Sequence, residues 1–256
     1  MKIVSLQTAA AYVKSGDRVF VQGAAMTPNT LINAICDRYE ELEEVEIISI
    51  HTDGAVNYAL PPYNKAFKIN SCFVGSNVRK AVNTNQGDYI PIFLSEIHLL
   101  FRKNILPLDV AVVQVSPPDK HGYCSLGVSV DVTLPAIQTA RKVIAQLNPH
   151  VPRTHGDGII HISQIDALVE VSEPIHAYPQ APISETEEKI GRNVASLIED
   201  GATLQMGIGN IPNAVLNNLG GHKRLGVHTE MFSDGLLPLI KKGVITGEDK
   251  VIKTNK

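Results

Sequence analysis

Two segments of this sequence, separated by roughly 177–185 residues, share the same order of features. The first is "SGDRVFVQGAAMTPNTLINAI" at 15–35, and the second is "EDGATLQMGIGNIPNAVLNNL" at 199–219. Each follows an amphipathic helix and runs through a glycine, a strand, a small-residue turn, a proline and an asparagine into a new helix. Such self-similarity at a fixed spacing is typical of a duplicated unit. It predicts that the chain builds one strand–turn–helix arrangement twice.

The likeness continues further along the chain, because "ISIHTDG" at 48–54 resembles "LGVHTEMFSDG" at 225–235. The first copy runs for about 180 residues, whereas the second has only about 72 residues before the sequence ends. A sheet that lacks strands leaves edges and apolar faces without partners. The repeat therefore predicts a whole first domain and only the opening of a second.

Short apolar runs rich in β-branched residues alternate with helical patterns, which predicts an α/β fold. Runs that are apolar on both faces favour parallel sheets covered by helices. The expected fold is two tandem, similar α/β domains with mainly parallel sheets, the second incomplete. The predicted strands are 18–22, 45–50, 67–74, 109–115, 142–147, 167–171 and 203–207. The predicted helices are 6–14, 28–39, 131–140 and 185–198.

A boundary between the two domains is predicted within 172–185, where three prolines disfavour both helix and central strand. The helix that follows has a well-marked start, because Ser184 and Glu187 match the capping-box pattern. The first domain is therefore predicted at 1–178 and the second at 179–256.

Composition and charge argue against two classes of partner. A net charge of −3 gives no basic footprint for nucleic acid and no polybasic membrane surface. The three cysteines form no CxxC pair, which fits reduced thiols in a reducing compartment. The N-terminal stretch is too polar for a signal peptide or a membrane span. The predicted location is the cytoplasm.

The segment "QMGIGNIP" at 205–212 is interpreted as a strand, a glycine turn and a helix start, with Pro212 in the first helical turn and Asn210 or Ile211 at the cap. Pro212 stands where a dinucleotide fingerprint has its third glycine, so that motif is not met. Glycines still let backbone N–H groups approach a ligand, and a helix N-terminus favours negative charge. The alternative is a tight turn without a ligand.

Glu230 stands where a predicted strand gives way to a loop, which is where open α/β sheets bind ligands. It could be a nucleophile, a general base or a solvated loop residue, and spacing alone favours the last. A carboxylate nucleophile needs an orienting partner and donors that stabilise the oxyanion it generates. The glycine turn would supply those donors if the two loops adjoin.

Three further segments carry reactive residue types. "SPPDKHGYCSLG" at 116–127 has a cysteine three residues after a histidine but no third orienting group, which favours a structural loop over a thiol nucleophile. "NPHVPRTHGDGIIH" at 148–161 is rich in histidine but matches no helical zinc motif, so no metal site is predicted. "GAAMTP" at 23–28, the counterpart of the glycine turn, is either a ligand-lining turn or an ordinary one.

These segments resemble the acetyl-CoA hydrolase/transferase family, and within it the 4-hydroxybutyrate and butyrate/acetate CoA-transferases. The resemblance runs in order through essentially the whole sequence. It rests mainly on "IGRNVASLIEDGATLQMGIGNIPNAVL" and "LGVHTEMFSDG", with support from "GAAMTP" and "QVSPPDKHGYCSLGVSVD". Members of this family are usually longer, and their later glycine-rich segments that help to hold CoA do not occur in this sequence.

The resemblance implies an acyl-CoA:carboxylate CoA-transferase that works by a ping-pong mechanism through a glutamyl-CoA thioester. Glu230, in the "HTEM" segment, would be the catalytic nucleophile. Its substrates would be acyl-CoA and short-chain carboxylates, with no permanently bound cofactor. Five residues of the turn would bind CoA and stabilise the oxyanion: Gly207, Ile208, Gly209, Asn210 and Ile211.

Two rival functions stay open at this point. One is an acyl-CoA hydrolase that uses the same glutamate, with water in place of the second carboxylate. The other is a non-catalytic ligand-binding α/β module in which Glu230 is inert. The glycine turn is expected beside Glu230, at a cleft between the domains. The other expected partners are further copies of the chain in a homo-oligomer, and a missing C-terminal portion or second subunit.

Overall fold

The structure, a computed structural model, describes residues 3–177 and 181–255 and divides into two compact units, Met1–Ala177 and Tyr178–Lys256. The strands are β1 Arg18–Val21, β2 Val45–Ser49, β3 Phe67–Ser71, β4 Gly87–Tyr89, β5 Val110–Val115, β6 Tyr123–Ser125, β7 Lys142–Leu147, β8 Ile159–His161, β9 Ala167–Glu170, β10 Thr203–Leu204 and β11 Gly226–Val227. The helices are α1 Leu6–Ala10, α2 Asn29–Cys36, α3 Arg79–Asn83, α4 Leu94–Arg102, α5 Thr133–Thr139, α6 Glu185–Ala195, α7 Asn210–Asn217 and α8 Leu236–Lys241. Single 3₁₀ turns lie at Asn57–Ala59, Tyr63–Lys65 and Ile162–Gln164.

Seven strands of the first unit form one sheet in the order β4-β3-β2-β1-β5-β7-β9. Every neighbouring pair in this sheet is parallel. The strand order reverses at β1, which lies between β2 and β5. The predicted α/β class with a mainly parallel sheet is confirmed.

Alternate residues of the strands enter two apolar clusters, one on each face of this sheet. In β1, Val19 and Val21 pack with α1 and α2, while Phe20 packs on the opposite face with α4 and α5. All six residues of β5 are buried. Both faces are therefore covered, as continuous apolar runs predict.

The second unit packs three helices around a pair of short parallel strands. β10 pairs with β11 through Thr203 opposite Gly226 and Leu204 opposite Val227. α6 and α7 approach so closely that a Cβ added at Gly191 would lie 2.6 Å from the backbone of Ala214. The buried core residues are Ala195, Leu216, Leu219, Leu225, Leu236, Leu239 and Val244.

The two segments aligned in the sequence share an unusual backbone conformation. Gly16 and Gly201 both have φ of 79°. The N–H of each glycine donates at 2.9 Å to a backbone carbonyl, and the residue directly after that carbonyl is also in the left-handed conformation. These second residues are Glu44, with φ of 52°, and Arg224, with φ of 53°. Because residues other than glycine seldom adopt this conformation, its recurrence at matched positions supports the repeat.

Several predicted elements are shorter in the structure. The helix predicted to residue 14 ends at Ala10, because the N–H groups of Tyr12 and Val13 bond three residues back rather than four, and that of Lys14 donates to the Asp17 carboxylate at 2.7 Å. The strand predicted at 203–207 covers only Thr203–Leu204, since its hydrogen-bonded neighbour β11 is equally short. The elements that were not predicted are α3, α4, α8, β4, β6 and β8. In the described parts of the chain, no helix has the length and apolar character needed to cross a bilayer.

Candidate active site

Helix α7 begins directly on the glycine turn. Its N-cap is Gly209, one residue before the predicted cap, because φ of 107° with ψ of −173° is a conformation open essentially to glycine alone. Pro212 occupies the first helical turn, where its missing N–H does no harm. The N–H groups of Asn210 and Ile211 have no carbonyl within the helix to bind. Four of the five predicted turn residues are exposed: Gly207, Ile208, Gly209 and Ile211.

The loop that carries Glu230 is fastened to the end of the neighbouring strand by Thr229. The Thr229 hydroxyl accepts from the Met206 N–H at 3.1 Å and donates to the Met206 carbonyl at 2.9 Å. Glu230 directly follows Thr229, and Gly207 directly follows Met206, so both residues lie next to this hydrogen-bonded pair. The two predicted site segments adjoin within the second unit.

The far end of the same loop is held by Ser233, which is buried. Its hydroxyl donates to Asn213 Oδ1 of α7 at 2.7 Å and accepts from the Gly235 N–H at 3.3 Å. Gly235 packs so tightly on Leu216 that an added Cβ would lie 2.8 Å from its Cδ1. Residues 230–232, between the two anchors, are all exposed. The acid thus stands on a short exposed segment that is held at both ends.

Asn210 joins the start of α7 to the start of α6. Its Nδ2 lies 3.3 Å from both the Pro182 carbonyl and Glu187 Oε2. Glu187 also accepts from the N–H and the hydroxyl of Ser184, each at 2.7 Å, so the predicted capping box is confirmed. These bonds, with that from the Ser184 N–H first, lower the pKa of Glu187. The Asn210 side chain is thus engaged in hydrogen bonds with the start of α6.

The counterpart loop of the first unit is fastened similarly but is closed. The Ala24 N–H donates to the His51 carbonyl at 3.0 Å, and Ala24 forms a parallel bridge with Thr52. The Asp53 N–H donates to the Thr27 hydroxyl at 3.0 Å. Asp53 is only 5% exposed. The acid after the His-Thr pair is therefore buried in this copy and exposed at Glu230 in the other.

Cys124, in the 116–127 segment, and His161, in the 148–161 segment, are held by packing and hydrogen bonds within the first unit. Cys124 is fully buried, and this burial raises the pKa of its thiol to about 11, so it stays protonated near neutrality. His161 contacts the Ser163 hydroxyl at 2.8 Å and the His121 carbonyl at 3.2 Å. Across residues 3–177 and 181–255, no group of three or more His, Cys, Asp and Glu side chains is placed to hold a metal ion.

Comparison with known families decides the relationship. Residues 1–178 match the acetyl-CoA hydrolase/transferase N-terminal domain. The chain belongs to the acetyl-CoA hydrolase/transferase family. One curated relative is the succinyl-CoA:acetate/propanoyl-CoA:succinate CoA transferase of Fasciola hepatica, 47% identical over 96% of this chain and 52% of the relative. Another is the 4-hydroxybutyrate coenzyme A transferase of Clostridium kluyveri, 44% identical over 100% of this chain and 59% of the relative.

A solved member of the family agrees with this relationship. The crystal structure of 4-hydroxybutyrate CoA-transferase from Porphyromonas gingivalis superposes with a TM-score of 0.86 at 38% identity, covering 100% of this chain and 60% of that one. The chain thus spans a little over half the length of the curated relatives it matches.

Sequence reasoning named Glu230 and the glycine turn but missed the three residues that fasten the loop: Thr229, Ser233 and Asn213. The partner of a hydroxyl depends on the path of the loop, which spacing does not reveal. One signal was available, because a threonine follows the histidine in both copies of the repeat, as Thr52 and as Thr229. The signal is incomplete, because the Thr52 hydroxyl contacts Tyr58 and Asn77 rather than the neighbouring strand end.

Proposed function

We propose that the protein is an acyl-CoA:carboxylate CoA-transferase of the 4-hydroxybutyrate, butyrate and acetate type, with Glu230 as the nucleophile. The observation that carries the proposal is the Thr229–Met206 pair, which holds the Glu230 loop against the strand end that leads into the glycine turn. Relatives at 44–47% identity that are named as CoA-transferases support it.

In the first half-reaction, the Glu230 carboxylate attacks the thioester carbonyl of acyl-CoA. The C–S bond breaks, which gives an acyl–glutamyl anhydride and CoA thiolate. The thiolate then attacks the glutamyl carbonyl, and the first carboxylate leaves. The enzyme is left as a glutamyl-CoA thioester, the covalent intermediate of a ping-pong cycle.

In the second half-reaction, another carboxylate attacks the glutamyl thioester and expels CoA thiolate. The thiolate attacks the acyl carbonyl of the new anhydride, and Glu230 departs as a carboxylate. Every nucleophile and every leaving group in this sequence is an anion, so no proton has to move. An exposed glutamate suits that chemistry, because the sequence of steps needs no general base beside it.

The glycine turn would bind CoA and stabilise each tetrahedral oxyanion. The N–H groups of Asn210 and Ile211, at the start of α7, are donors without partners in the helix. Gly207 and Gly209 keep side chains away from the approaching ligand. CoA is a substrate here, and the proposal includes no permanently bound cofactor.

Trapping the thioester tests the proposal. Full-length protein is incubated with acyl-CoA and borohydride, which reduces a glutamyl thioester to the alcohol and releases CoA thiol. Peptide mass spectrometry should then find the alcohol at Glu230 in wild type only after acyl-CoA is added. The variant Glu230→Gln is the matched control. Modification at another carboxylate, with Glu230 intact, would refute the assignment.

Isotope transfer separates the two rival functions. Labelled CoA ester should form from labelled acetate if the second acceptor is a carboxylate. Thioester loss that proceeds equally without acetate would indicate a hydrolase instead. Ligand binding with no trapped thioester and no turnover would indicate a binding module.

The organisation of the protein is part of the proposal. We assign 1–178 to a first domain and 179–256 to the portion of a second that carries the nucleophile. The three cysteines, all buried and unpaired, support a reducing location such as the cytoplasm. We also propose self-association, which light scattering of the purified full-length protein would test.

A further inference from the structure

Helix α2 follows the 23–28 turn, and its start is not capped by the residue before it. Its N-cap is Pro28, which makes no side-chain cap bond. The first N–H groups of a helix need acceptors from elsewhere. Here the Leu31 N–H donates to Gln146 Oε1 at 3.2 Å, and the Thr30 hydroxyl donates to Glu173 Oε2 at 2.6 Å. The Leu31 N–H is therefore capped by Gln146 of β7, and Glu173, in the segment after β9, holds the Thr30 side chain beside it.

Glu173 is the residue that ties this cap together. Its Oε1 accepts from Gln146 Nε2 at 2.5 Å, and its backbone carbonyl accepts from Asn148 Nδ2 at 2.8 Å. Gln146 and Asn148 also both donate to Gln114 Oε1, at 2.8 and 3.0 Å. A row of buried amides thus runs along the carboxyl ends of β5 and β7 and ends on one carboxylate.

The row continues to the central strand. The Gln114 N–H donates to Gln22 Oε1 at 2.8 Å, and Gln22 directly precedes the 23–28 turn. Gln22, Gln146 and Asn148 are fully buried. The turn is consequently held on two sides, by Gln22 at its start and by the Glu173 cap on α2 at its end.

The turn stands at a reversal of the strand order, with Ala24 and Ala25 partly exposed and Gly23, Met26, Thr27 and Pro28 buried. The strand order of the sheet reverses at β1, and ligands of open α/β sheets bind outside the carboxyl ends of the strands at such a reversal. The 23–28 turn follows β1 at that edge. A negative charge at the start of α2 is also favoured by the helix dipole.

We propose that Glu173 is a positioning residue: its carboxylate, through Thr30 and Gln146, holds the 23–28 turn in the geometry that a substrate meets at this edge of the sheet. The inference rests on the proposed function only for what the substrate is. The contacts that hold the turn lie entirely within the first unit.

Amide hydrogen exchange tests the holding role without any assay of activity. In Glu173→Ala, peptides covering 24–31 should exchange about tenfold faster, because the bonds that the side chain accepts from Thr30 and Gln146 are both lost. Glu173→Gln can still accept from Gln146 and donate to the Thr30 oxygen, so its exchange should stay within about twofold of wild type. Peptides covering β2 and β3 should not change.

Two further variants keep the exchange test decisive. Glu170→Ala removes the same residue type from an exposed position at the end of β9 and should leave 24–31 unchanged. Thr30→Val removes one of the two cap bonds and keeps the carboxylate, so a rise of about threefold at 24–31 is expected even if Glu173→Ala folds poorly. The proposal would be overturned if the exchange rate at 24–31 were unchanged in both Glu173→Ala and Thr30→Val. It would also be overturned if the exchange rate rose uniformly across the first unit.

Kinetics of the full-length protein then separate positioning from mere capping. The enzyme concentration is taken as the concentration of Glu230 sites that borohydride traps. On that basis, kcat/KM for acyl-CoA should fall about tenfold in Glu173→Ala and return to within about threefold of wild type in Glu173→Gln. Faster exchange with an unchanged kcat/KM would show a purely structural cap and refute positioning. If wild type transfers no CoA at all, the proposed function fails, while the exchange data still decide whether Glu173 holds the turn.

Discussion

The loops after β2 and after β11 begin alike but treat their acids in opposite ways. In the first unit, the Thr52 hydroxyl lies 3.2 Å from both the Tyr58 hydroxyl and Asn77 Nδ2, and Asp53 is buried. In the second unit, the Thr229 hydroxyl binds the backbone of Met206, and Glu230 is exposed. The same strand–turn–helix frame therefore places an acid at a matched position in each unit, while the loop decides whether that acid is buried or exposed. Function belongs to the site rather than to the fold.

Replacing the acid of each loop with alanine, in Glu230→Ala and in Asp53→Ala, is expected to give the largest difference between the two units. Glu230→Ala should lower kcat of the full-length protein by at least about 10³-fold, because the covalent path is lost. Its thermal midpoint should hardly move, since the side chain is exposed. Asp53→Ala should lower the midpoint by about 2–4 °C, because removing a buried side chain leaves a gap among the residues packed around it.

Steady-state turnover assays and calorimetry of the two variants measure these opposite effects on kcat and on the thermal midpoint. A large loss of stability in Glu230→Ala would mean that the acid is structural in both copies. Wild-type turnover in Glu230→Ala would remove the covalent mechanism altogether.

The threonines before the two acids give the next comparison. Thr229→Val keeps the shape of the side chain but releases the loop from Met206, so kcat/KM should fall about 10- to 100-fold through lost alignment of Glu230. Thr52→Val leaves the Glu230 loop untouched and should cost about 1–2 kcal/mol of stability, because the contacts of its hydroxyl with buried Tyr58 and half-buried Asn77 are lost. Steady-state kinetics together with urea unfolding distinguish the two effects. Equal kinetic losses in both variants would contradict the assignment of the fastening role to Thr229.

The matched glycines probe the shared frame itself. Gly16→Ala and Gly201→Ala should each cost about 1 kcal/mol, because both positions have φ of 79°. Gly201→Ala should cost more, since its new Cβ would lie 2.6 Å from Asp249 Oδ2, whereas nothing lies within 4 Å at Gly16. Denaturant unfolding of the two variants measures the difference. A stabilising effect at either position would show that the left-handed conformation is not retained.

Patterns that depend on local chemistry were predictable from the sequence. The capping box of Ser184 and Glu187 was read correctly, because its two bonds join residues three apart. β7 was predicted with its observed bounds, since a run that is apolar on both faces needs a covered sheet. α4 was missed although Ile97 and Phe101 have helical spacing and are buried, so here the signal was present.

Features that depend on distant partners were not predictable. β10 is shorter than its apolar run, because a strand extends only as far as its hydrogen-bonded neighbour. The loop position of Glu230 followed from the repeat, whereas its place next to the glycine turn was predicted only on the condition that the two loops adjoin. Its fastening by Thr229 and Ser233 did not, because the sequence shows which hydroxyls exist but not which groups they reach.

The helices that precede the two repeated strands should differ in their response to acid, the smallest of these effects. Both begin with a serine cap, but Ser184 of α6 pairs with Glu187, whereas Ser5 of α1 pairs with the N–H and hydroxyl of Thr8. Because hydrogen bonds to the carboxylate hold the pKa of Glu187 below its ordinary value of 4.5, the stabilisation is present above that value. It is lost as the pH falls through the lowered pKa.

Protection factors of amides in α6 should therefore decrease on acidification in that window, while those in α1 stay constant relative to the rest of their own unit. Glu187→Gln keeps an acceptor for the Ser184 N–H but cannot titrate, so it should remove the pH dependence of α6. A parallel loss in α1, or an unchanged pH response in Glu187→Gln, would assign the effect to another group. The pair of helices thus measures how much one carboxylate adds to a cap that serine alone can form.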